Sequence, residues 1–157
     1  MIDQEIAALE ILEKKQEELR DAQILNLALD KGNVVKEFAN AEFDEHGNIS
    51  NYTNLLKDAA KVLNDAKEQY NASQAESDKE ALENAQKEYD RQLKILTQYE
   101  ETLSALREQE EVLIDIRNQI QDANYEKLQE ALNLKIEIDE DSLRRLELIL
   151  KQAINIF

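Results

Sequence analysis

Residues 77–131 read SDKEALENAQKEYDRQLKILTQYEETLSALREQEEVLIDIRNQIQDANYEKLQEA and contain neither glycine nor proline. A run this rich in Glu, Gln, Lys, Leu and Ala predicts one long helix. At about 1.5 Å per residue it would extend roughly 80 Å, whereas a compact domain of this chain's size is only about 30–40 Å across. The expected architecture is therefore all-α and elongated, suited to spacing, scaffolding or docking more than to an enclosed active site.

The periodicity says what such a helix packs against. Leu82, Tyr89, Leu96 and Leu103 recur every seven residues, as do Ala85, Gln92, Tyr99, Leu106, Leu113 and Ile120. Together they form a coiled-coil seam. The first series fails at Glu110 and Arg117, and Val112, Ile116 and Ala123 take over on a shifted face, so the partner is expected to change along the helix. Residues 52–71 predict a second helix, capped by Ser50 or Asn51. Its stripe of Tyr52, Leu55, Leu56, Ala59, Leu63, Ala66 and Tyr70 would run antiparallel to residues 78–100. The small polar stretch 71–77 is the hairpin tip, and Ser77 with Glu80 forms a capping box. A first helix over 3–30 draws apolar residues from Ile2, Ile6, Leu9, Leu12, Leu19 and Ala22 and lies beside 105–130. Lys31-Gly32-Asn33 should end it, opening an insertion over 31–51 with a turn at Asp44–Asn48.

These parts make a helical hairpin arm over residues 1–131. In the remaining 132–157, Leu132, Leu134, Ile136 and Ile138 alternate with polar residues and predict a short strand. A continuous helix is the competing reading. A final helix over 142–156 would follow. Its Leu146, Leu150 and Ile154, with Phe157, are candidates for a docking face.

Composition narrows the function. The chain has 157 residues and a net charge of −16, which opposes nucleic acid and anionic membrane surfaces and suits a basic partner or plain solubility. There is no cysteine, hence no disulfide, thiolate nucleophile or Cys-based zinc site. No apolar run is long enough for a transmembrane helix. The start, MIDQEIAALEILEKK, is not a signal peptide and opens in mid-pattern, as a segment of a larger protein would. His46, the one histidine, sits in a polar turn with no triad around it. The loop EFDEHGNIS fits a calcium site poorly, because Thr53 falls where a bidentate Glu is needed. The paired carboxylates, such as Glu110-Glu111, read as solvated helix faces, and no Gly-rich phosphate loop or HExxH is present. No cofactor or metal is expected, and the chain reads as a non-enzyme. Its partners would be other proteins or copies of itself.

Two stretches resemble a known family. EFDEHGNISNYTNLLKDAAKVLNDAKEQYNA (42–72) and DANYEKLQEALNLKIEIDEDSLRRLELILKQ (122–152) are similar to the opening and closing parts of a unit found in tail tape-measure proteins of gut bacteriophages. There, a phrase of the type F-D-E-x-G-x-I-x-N-Y precedes a helix, a small turn and a long Glu-rich helix, and the unit closes on an N-Y-E-K-L run. The resemblance implies a structural segment in a phage tail, in a family of long helical rulers that set tail length and are expelled at infection. It implies no catalytic residues. Without it, the same features describe a cytoplasmic coiled-coil arm.

Overall fold

The computed structural model describes residues 1–156; for 134–139 and 155–156 only the helical path of the backbone is described. The elements are α1 (Ile2–Glu37), α2 (Tyr52–Ser73) and α3 (Glu76–Ile156). Among the described residues the only extended pairing is one antiparallel bridge, Phe43 to Ile49. The all-α expectation holds, and the strand over 132–138 does not: α3 runs through it as helix. The alternation there has the period of a strand, but among the described residues no second strand is present to complete a ladder. With no glycine or proline to stop it, α3 satisfies the peptide groups of this segment internally by continuing.

Two boundaries also differ from expectation. α1 passes through Gly32 and ends at Glu37. One helical glycine costs about 1 kcal/mol, and carrying the helix onward buries Val34 and brings in Phe38 just beyond its end, worth about 1.5–3 kcal/mol each. At the other end of α2, Gln74 adopts the left-handed conformation (φ 51°) and its N–H caps Tyr70. The Ser73 hydroxyl accepts from Ala75 N–H at 3.2 Å and donates to the Asp78 carboxylate. This turn starts α3 ahead of Ser77, so the Ser77–Glu80 box is not the cap.

The chain divides into two compact units, described separately. Residues 17–111 form the larger, a three-helix arrangement. Its core is Val34, Phe38, Ile49, Leu55, Leu96, Tyr99 and Leu103, with Ala59, Leu63 and Leu106 also buried. α1 runs antiparallel to α3 here: the Thr102 hydroxyl donates to Asp30, and Arg91 donates to Glu37. Residues 1–16 and 112 onward form the other unit, where Ile6, Leu113 and Ala123 are buried. Lys127 meets Asp3 at 2.6 Å and Arg117 meets Glu13 at 3.2 Å, so a step of ten along α1 matches a step of ten back along α3.

α1 corrects one further expectation. In the smaller unit it turns Ile2, Ile6, Leu9, Glu13 and Gln16 inward, and in the larger one Arg20, Gln23, Leu27, Asp30 and Val34, always at alternating steps of three and four. Leu12 and Leu19, expected on this seam, are about half exposed.

Candidate interaction surface

Residues 38–51 fold back on themselves before docking on α3. The Asp44 carboxylate accepts the N–H groups of His46 and Asn48, both at 2.9 Å, and the Asn48 side-chain amide at 3.2 Å. Burial pushes this carboxyl up, but these donors outweigh it and hold it below the ordinary carboxylate value. Gly47 takes φ +83° and donates to Asp44 O at 3.1 Å. Asn51 does not cap α2 with its side chain. It closes the loop instead, accepting Glu42 N–H at 2.9 Å and donating to Asn40 O at 2.8 Å.

α3 then holds the turn from beneath. The Tyr99 hydroxyl donates to Gly47 O, and Arg107 donates to His46 O at 3.1 Å and to Asn48 Oδ1 at 2.8 Å. Burial pushes the Tyr99 phenol up, against the nearby Arg107 and with the nearby Asp44, so at neutral pH it keeps the proton it donates. Phe43 meets the Tyr99 ring edge-on with centroids 5.4 Å apart, and the Lys31 ammonium lies 4.6 Å over Phe43. Asp44 spends both oxygens inside the turn, and the His46 side chain is exposed beside Glu45, at 3.5 Å.

The seam residues predicted from spacing fall into two groups. Leu55, Leu63, Leu96, Tyr99, Leu103, Leu106 and Leu113 are buried, whereas Leu82, Tyr89 and Ile120 are half-buried. The proposed docking residues Leu146, Leu150 and Ile154 are exposed at 56, 61 and 72 %; Phe157 lies outside the described residues. Spacing did not single out Arg107 or Asp30, whose partners come from distant positions, and it offered Asn51 as a cap of α2, where its side chain closes the loop. It also passed over the exposed Tyr125 and Leu128, and read Leu132 as strand; all three are on the same side of α3 as Leu146 and Leu150.

An open cleft of about 470 Å³ lies between α1 and α3 over Gln23, Asp30, Glu101 and Thr102, and its Asp30 is already bound to Thr102. Among the described residues no group of three or more His, Asp or Glu is placed to hold a metal ion, and no helix is long and apolar enough to cross a membrane. No protein-family model, no curated protein and no solved structure matches this chain.

Proposed function

We propose that this chain is a non-enzymatic structural segment, a helical spacer of the tail tape-measure type, that works by lateral association of helices. The observation that carries the reading is on α3. Tyr125, Leu128, Leu132, Leu143, Leu146, Leu150 and Ile154 are each at least half exposed, and at 3.6 residues per turn they share one side of the helix. A monomeric soluble surface rarely leaves so many large apolar side chains exposed along one side of a helix unless something docks there. The tail role itself rests on the resemblance of residues 42–72 and 122–152 to tape-measure units.

Electron microscopy of phage tails tests the spacer role, using virions whose parent gene lacks residues 52–131 in frame. If the segment acts folded, the tail shortens by roughly 80 Å, the contribution of the α3 residues removed at about 1.5 Å each; if α2 is straightened in the tail, by roughly 120 Å. Unchanged length in intact particles removes the ruler role. The docking arm, a second reading supported by the same exposed stripe, would then remain.

A further inference from the structure

The stripe has a partner that the chain itself can supply. We infer that the C-terminal stretch of α3, residues 140–154, pairs antiparallel with the same stretch of a second copy. The inference rests on the reading of the chain as an assembly segment and names what that segment binds.

Four observations lead there. The first is placement. The line of α3 that carries Leu113, Ile120 and Ala123 continues along the helix through Asp141, Arg145 and Gln152, with Ile149 as its one large apolar member at the margin. The apolar line of Leu143, Leu146, Leu150 and Ile154 is rotated from it by roughly 140°, and Ile149 lies between the two. It therefore calls for a different neighbour from α1.

The second is charge. Residues 140–157 contain Glu140, Asp141 and Glu147 against Arg144, Arg145 and Lys151, a net of zero, so the whole −16 lies upstream. This is a stretch where two copies of an acidic chain can approach without strong mutual repulsion.

The third is complementarity. Glu140, Glu147 and Lys151 run along one edge of the stripe, while Ser142 and Ala153 form a small, uncharged opposite edge. In an antiparallel pair like edges face each other. Centring the pair near Leu146 sets Leu146 against its own copy and Leu143 against the partner's Leu150. The same register brings Glu140 opposite the partner's Lys151 and Glu147 opposite the partner's Arg144, each twice by the two-fold symmetry. A parallel pair would set the charged edge against the small one and lose these contacts.

The fourth is area. The apolar side chains Leu143, Leu146, Ile149, Leu150 and Ile154 are 56–72 % exposed and each offers on the order of 100 Å². That is roughly 500 Å² per copy and roughly 1,000 Å² in total, the lower limit for a specific interface. The dimer should accordingly be weak, with a Kd on the order of micromolar.

Sedimentation equilibrium of the full chain between roughly 1 and 100 µM tests this. The expected result is a monomer–dimer equilibrium that Leu146→Glu shifts to monomer, raising Kd about 100-fold, with helicity by circular dichroism unchanged because Leu146 is exposed in the single chain. Glu140→Lys and Lys151→Glu should each raise Kd several-fold, and the double swap should return it to within about 2-fold of wild type. A monomer throughout, or a dimer indifferent to Leu146→Glu, overturns the pairing; single swaps whose effects simply add overturn the antiparallel register. Each of these outcomes leaves the tail-length result free to stand, since a spacer can act on another protein.

Discussion

Gly47 and Gly32 are the chain's two glycines, and the fold uses them in opposite ways. At Gly47 a Cβ would meet only ordinary neighbours, Leu103 at 3.5 Å and Tyr99 at 3.6 Å, but the backbone holds φ +83°. At Gly32 the backbone is helical and a Cβ would meet nothing within 4 Å. The same substitution should therefore change sign. Gly47→Ala should destabilise by about 1–2 kcal/mol, the cost of left-handed backbone for an L-residue. Gly32→Ala should stabilise by about 1 kcal/mol through helix propensity. Urea melts followed by circular dichroism read both, and a shift in the same direction for the two variants would contradict the backbone assignment at one of them. The turn itself was legible at this scale, since Asp44 to Asn48 is turn chemistry. Its anchorage was not. Tyr99 and Arg107 reach the loop from more than fifty positions away, a separation at which local spacing carries no information.

Among elements, α2 and the first half of α3 were readable because each has one dominant apolar line, and two such lines can meet in only one way. Leu96, fully buried, lies at the base of that seam, while Leu82 near the tip is half-buried. Leu96→Ala should cost about 2–5 kcal/mol. Leu82→Ala should cost about 1 kcal/mol, because water already reaches it. Denaturant midpoints compare them, and equal losses would place the two side chains in equivalent environments. α1 was not readable in the same way. It carries two lines at coiled-coil spacing, one through Ile6, Leu9 and Leu27 and another through Leu12, Leu19 and Leu29, with similar apolar content. Glu13, Gln16, Arg20 and Gln23 make the inner line the more polar one in the middle, so hydrophobicity alone favours the wrong face. Pairing with α3 decides it, through contacts such as Asp30 to Thr102 and Glu13 to Arg117. The segment 132–138 was misread for the reverse reason: a period of two is a strand only where another strand is available, and here the backbone closes its own hydrogen bonds.

At the scale of the whole molecule the dominant quantity is the net charge of −16. The ion pairs are mostly exposed, as with Lys127 to Asp3, and exposed pairs contribute little, whereas repulsion sums over the chain and is screened by salt. The melting temperature should rise between about 10 mM and about 500 mM sodium chloride. A fall would mean that the ion pairs outweigh the repulsion. Composition and periodicity by themselves determined the helical class, the hairpin of α2 with α3, the acidic surface, and an apolar C-terminal stripe, because these depend on local propensity and on spacing within one element. Only the tertiary structure decided which face of α1 is inside, that Gly32 and 132–138 remain helical, and that the 38–51 turn is pinned by Tyr99 and Arg107. The 132–138 helix continues because its backbone closes its own hydrogen bonds; the other outcomes depend on partners distant in sequence, whose burial and hydrogen bonding outweigh what each segment prefers alone.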